Sequence, residues 1–236
     1  MQNVTARNSR WLVVVILLLE LAVIVVGFSR SYFSRGLVFA PLPGFIVHLH
    51  GALMSLWYLV FLVQAVLIAS GKRANHRLLG VMAFALMPFI FITGLLVSSH
   101  MLSRNATAGG FDPFTFSVIP FSGMLAFASF GFVAWRFRRD HEVHWRLLLI
   151  SSAGMTTAAF ARWPLPFFWV DYYRAYDASY IFLLLLIAYD FITRHRIHRA
   201  TWLGSLCLIM LDQSTRWTGP SLAWHQIAAW LQSLKI

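Results

Sequence analysis

The chain has 236 residues, of which 59% are apolar and only 11% charged, with a formal net charge of +11 and a mean hydropathy of +0.70. A soluble domain needs about 25% charged residues to keep its surface wet, which excludes a water-soluble globule. The positive charge does not point to nucleic acid, because the basic residues fall in short loops between apolar runs, where membrane topology signals belong.

The apolar runs predict one all-α membrane domain over 1–236, a polytopic transmembrane helix bundle of about seven spans plus a C-terminal amphipathic helix. The first span covers 11–28 and the second 45–70. No small-x-small cleavage signal follows the first, so it is expected to stay as a span. A basic connector, Gly71 to Arg77, leads into a third span over 78–101, and a polar loop separates that from a fourth over 114–135. A second basic connector, Arg136 to Arg146, precedes a fifth over 147–161, where Arg162-Trp163-Pro164-Leu165-Pro166 must interrupt the helix. The sixth covers 178–192, and the seventh, 200–211, is short for a full crossing. Beyond Pro220, Trp224, Ile227, Ala228, Leu231 and Leu234 recur at helical spacing, while His225, Gln226, Gln232 and Lys235 fall elsewhere. That pattern predicts an amphipathic helix over 221–234, along the surface or capping the bundle. Cys207 lies inside an apolar run, so neither a disulfide nor a Cys-based zinc site is available.

Placing the N-terminus in the cytoplasm puts 12 of the 19 Lys and Arg residues there, in the shorter connectors. The expected setting is a bacterial inner membrane, with the C-terminus outside and the lipid bilayer as first partner. Respiratory-chain or other membrane proteins are the further partners considered.

The connector near Ala74 makes the second and third spans an antiparallel hairpin, so residues equidistant from it share a depth. His48, His50 and His100 therefore meet at the outer end, with His50 on one face with Trp57, Phe61 and Gln64. An inner layer comes from His76 and His144, each opening a span in similar strings, His76-Arg77-Leu78-Leu79 and His144-Trp145-Arg146-Leu147-Leu148. Histidines at matched depth on neighbouring helices suit haem b ligation, and two such layers suit a transmembrane electron carrier. A zinc or other metal ion on His48, His50 and His100 is the alternative, as is no cofactor, with the outer trio a hydrogen-bonded cluster and the inner pair interfacial residues. Glu20 and Gln64 are the intramembrane polar candidates, Glu20 either as a neutral hydrogen-bonded carboxyl or as part of a proton path. Arg162, Asp171, Arg174 and Asp177 form an outer charged cluster expected to pair among themselves. No catalytic residue is assigned.

His48-Leu49-His50-Gly51, Asn75-His76-Arg77-Leu78-Leu79-Gly80, His144-Trp145-Arg146-Leu147 and Ala161-Arg162-Trp163-Pro164 together resemble an uncharacterised family of bacterial predicted membrane proteins, a domain of unknown function. The resemblance runs from the second span to the C-terminal helix and implies a multi-pass fold without naming an activity. A fainter likeness is to the cytochrome b561 group, which implies haem on a helical core, although the fourth span here carries no histidine where that group's central helices each supply one. The functional readings are an integral membrane protein with a redox role, a non-catalytic accessory or assembly subunit of a respiratory complex, a zinc-dependent membrane hydrolase, and a proton-coupled carrier using Glu20.

Overall fold

The computed structural model describes residues 2–34 and 44–234, and the described residues are helical apart from short connections. Helix α1 (Gln2–Phe28) runs into a π-helical extension, Ser29–Phe33, and is followed by α2 (Phe45–Ala69), α3 (Arg73–Ser103) and α4 (Pro113–Arg136). Helix α5 (His141–Phe160) precedes two short helices, α6 (Pro166–Val170) and α7 (Tyr173–Ser179). After them come α8 (Ile181–Arg194), α9 (Arg199–Thr218) and α10 (Leu222–Ser233). Five segments are long and apolar enough to cross a membrane: Trp11–Phe33, Phe45–Ala69, Arg73–Ser103, Pro113–Arg136 and Tyr173–Arg194. Their outward side chains, Val15, Leu18, Leu59 and Phe89 among them, are about half exposed, as lipid-facing residues are.

The helices start earlier than the apolar runs predict. Gly71, at φ +78°, turns the chain between α2 and α3, and the basic string from Arg73 onward is already helical. Asp140 caps α5 by accepting from the backbone N–H groups of Glu142 (3.1 Å) and Val143 (3.2 Å), so His144 and Arg146 lie on a helix, not in a connector. Pro164 breaks the chain between α5 and α6 as expected. The seventh run is not short: α9 continues through Asp212 to Thr218 and has 20 residues.

Helix α5 is the centre of the bundle, packed against α1, α4, α7, α8 and α9. That position explains its low apolarity, because neighbours supply partners that lipid cannot. At Gly27 of α1 the two backbones come close, and a Cβ would stand 2.3 Å from the Ala159 carbonyl oxygen. The face at which α1 begins, here the proximal face, also holds the ends of α2, α4 and α8 and the starts of α3, α5 and α9. At the opposite, distal face α10 lies across the end of α3 and the start of α4. Its docking face is mixed: Trp224, Ala228 and Leu231 of the apolar set turn inward, while Gln232 donates to the Leu102 carbonyl (2.9 Å) and His225 meets Thr115 (3.1 Å). Trp224 Nε1 donates to the Phe114 carbonyl (2.9 Å), while Ile227 and Trp230 stay exposed.

A candidate binding cavity at the proximal face

A cavity of about 1060 Å³ opens among the proximal ends of α2, α3, α4 and α5. Its depth is apolar and aromatic, with Trp57, Phe61, Phe84 and Trp135 among the walls. Its rim is rich in cations, carrying Arg73, Arg77, Arg138 and Arg139 together with His76, His141, His144 and one carboxylate, Glu142. The two strings near the starts of α3 and α5 thus deliver His76 and His144 to one space.

Hydrogen bonds orient the two rings oppositely. The Gln64 amide nitrogen donates to His76 Nδ1 and to the His76 carbonyl (3.1 Å), and its oxygen accepts from the Gly80 N–H (2.8 Å). An imidazole accepting at Nδ1 keeps its proton on Nε2, so neutral His76 offers a donor. His144 Nδ1 lies 2.9 Å from the Ala134 carbonyl, which can only accept, so its proton sits on Nδ1 and Nε2 offers a lone pair. Trp57 contributes its ring to the wall: it is 4% exposed, and its Nε1–H is buried away from the cavity with no acceptor among the described residues.

Below the cavity rim lies an ion-pair network that the sequence reading did not foresee. Arg146, wholly buried, donates to both oxygens of the equally buried Asp190 and to Thr201 Oγ1 (3.1 Å). It also pairs with Glu142, which in turn meets Arg194 at 2.7 Å. One guanidinium therefore ties α5 to α8 and α9. His198, capping α9 through the Ala200 N–H (3.1 Å), is held below its ordinary range by partial burial and by the nearby Arg146 and Arg194 charges.

The remaining sequence candidates are dispersed. His48 stacks on Tyr32 and meets its hydroxyl (3.1 Å), while His50 Nδ1 meets Thr93 Oγ1 (3.1 Å) between α2 and α3. His100 stands on the last turn of α3. Among the described residues no three or more His, Cys, Asp or Glu side chains are grouped to hold a metal ion, so His48, His50 and His100 do not assemble as a metal site. His48 and His50 are instead each drawn to a hydroxyl beside them. Glu20 is fully buried between α1, α2 and α5, with neither oxygen hydrogen-bonded among the described residues. Gln64, one of its expected partners, faces His76, and the nearby Ser152 hydroxyl donates to Leu149 (2.9 Å).

The outer charges do not pair among themselves among the described residues. Arg162 donates to the Ala158 carbonyl (2.6 Å) and lies over the Phe28 ring. Arg174 donates to the Phe167 carbonyl (3.0 Å) and lies over that residue's ring. Asp171 accepts from the Tyr173 N–H (2.9 Å), and Asp177 makes no ion pair. An arginine near aromatic rings satisfies itself on a ring face and a carbonyl without holding a carboxylate in place.

No family model matches the chain, and neither the curated proteins nor the solved structures give a match.

Proposed function

We propose that the chain crosses the bacterial inner membrane seven times, proximal face to the cytoplasm, and that its working site is the proximal cavity, which binds an amphiphilic ligand. Helices α5 and α9, 20 residues each, supply the two crossings beyond the five apolar ones. The lysines and arginines concentrated at the proximal ends of the helices support the orientation. The observation that carries the binding role is the cavity itself: an apolar, aromatic depth under a rim that carries four arginines and Glu142, where the Nε2 lone pair of His144 has no hydrogen-bond partner among the described residues. Few convergent polar groups in an apolar concavity are the hallmark of a ligand site.

Haem b in a redox role is the second reading, favoured by His144. A histidine whose Nδ1–H is held by a carbonyl presents Nε2 as a metal-ligating histidine does, and arginines at the rim suit propionates. His76 carries its proton on the corresponding nitrogen, so this pair supports one protein ligand to the iron, not two.

The test is native mass spectrometry of the detergent-purified protein beside Ala65→Trp, which fills the cavity, with absorption spectra before and after dithionite. A bound mass lost in Ala65→Trp is the expected result. A Soret band lost in His144→Ala would identify haem. Respiratory subunits co-purifying equally with both forms, and no bound mass in either, would replace the ligand site with an accessory role.

A further inference from the structure

Independently of the proximal cavity, we infer that the distal half of the bundle binds a desolvated sodium ion between Asp212 of α9 and Tyr176 of α7. Both residues are only 3% exposed, and Asp212 Oδ2 and the Tyr176 hydroxyl have no hydrogen-bond partner among the described residues. The packing brings the two together. Tyr173, Tyr176 and Tyr180 share a face at i, i+3, i+7 spacing. Gln213 donates to the Tyr180 hydroxyl (3.1 Å) and Arg216 lies 3.8 Å over the Tyr173 ring, so Tyr176 meets α9 between those contacts. Its hydroxyl stands beside Ser122 of α4 and Thr215 of α9. A Cβ at Gly219 would meet the Thr115 carbonyl oxygen at 2.9 Å, and one at Gly204 the Phe130 ring at 3.8 Å. These two contacts set α4 and α9 antiparallel, with Asp212 level with Ser122.

The groups at this meeting point offer lone pairs. Ser122 Oγ donates to the Ile119 carbonyl (2.9 Å) and Thr215 Oγ1 to the Asp212 carbonyl (2.5 Å), so neither hydroxyl has a proton left to give. A carboxylate buried among them needs a positive charge beside it. No side chain supplies one. Arg216, one turn beyond Asp212, donates to Gln213 Oε1 (2.7 Å) and covers the Tyr173 ring, and among the described residues Asp212 makes no ion pair. A proton on Oδ2 would leave that atom as unpartnered as before, and a bridging water would leave the charge unbalanced. One carboxylate among neutral oxygens balances a single positive charge, whereas a divalent ion would leave a net charge buried. A donor set made only of oxygen selects a hard ion over copper or zinc.

The test titrates the purified full-length protein in detergent with sodium chloride, choline chloride holding the ionic strength constant at fixed pH. The melting temperature should rise saturably, by about 5–11 °C at about 100 times the Kd. Radioactive sodium should be retained at one ion per chain. Asp212→Asn, which removes the charge and keeps the shape, should melt no lower than the unmutated protein in choline. It should lose both the sodium response and the retained ion. Tyr176→Phe, which keeps the ring packing, should still fold and bind sodium about tenfold more weakly, the value of one oxygen contact. Equal melting in sodium and choline with no sodium retained overturns the ion site. A melting temperature that moves with pH and not with sodium assigns a proton to Asp212 instead. Calcium acting at the same concentrations as sodium overturns the monovalent assignment, and sodium retained undiminished by Asp212→Asn and by Tyr176→Phe removes the site from this place.

Discussion

Replacing Asp190 by alanine leaves the guanidinium of Arg146 buried with its principal counter-ion gone. Both side chains are 0% exposed, so water cannot take the carboxylate's place without opening the bundle. Removing one partner of a buried pair costs about 3–5 kcal/mol, much of it the penalty of the stranded charge. Glu142 still touches Arg146, but its side chain is 40% exposed and shared with Arg194, so it recovers only a small part. At about 2–4 °C per kcal/mol for a chain of this size, Asp190→Ala should lower the melting temperature in detergent by about 6–20 °C. Asp190→Asn, which keeps an acceptor for Arg146 and Thr201, should lose less. The double variant Arg146→Met/Asp190→Leu should regain most of the loss, because an apolar pair of similar volume carries no stranded charge. A shift under about 2 °C for Asp190→Ala, below 1 kcal/mol, or a double variant no better than the single one, would refute the network's role in joining α5, α8 and α9.

Other outcomes follow from the same packing. Gly27→Ala must push α1 off the Ala159 backbone, since the clash is with main chain and not a movable side chain; overpacking of this kind costs about 1–3 kcal/mol, read as a lower melting temperature. Glu20→Leu should raise the melting temperature, because it removes a buried polar group with no partner, worth about 1–3 kcal/mol; a fall would mean the carboxyl is held by a group of its own. At the distal face, partial burial pushes the Asp112 carboxyl up, but hydrogen bonds from Thr115 and Phe114 and the nearby His225 outweigh it and hold it below its ordinary range. A lowered carboxylate stabilises the fold above its unfolded value, near pH 4, and loses that contribution as pH falls through the folded value. Proteolysis between α9 and α10 should therefore accelerate in acid below about pH 4, and Asp112→Asn should flatten the profile.

How much of this the sequence carried depends on the kind of signal. Apolar runs located the crossings well, because lipid demands them, but said little about where helices begin. The α5 start is set by Asp140, seven residues ahead of the apolar run, and so Arg146 reads in the sequence as a connector charge while the fold buries it. An acid close to the end of the sixth apolar run, Asp190, was the available sign that a buried cation would be needed. The meeting of His76 and His144 was legible in the repeated strings that open their helices. The outer trio was not, because matched depth does not fix which way a side chain turns, and Tyr32 and Thr93 each hold one histidine. Gln64, singled out with Glu20 as a polar candidate, serves His76 on the adjacent helix of its own hairpin and not Glu20. Trp57 could not have been recognised, since an unpartnered indole N–H is a property of packing alone.

The most direct test of the cavity as the working site is an experimental density map of the protein taken from native membranes into nanodiscs without delipidation. Elongated density among Trp57, His76 and His144, reaching the rim of Arg73 and Arg138 and absent in Ala65→Trp, is the predicted result. A cavity closed by its own side chains, with Trp57 Nε1 bonded to the protein and no density in either form, would contradict it.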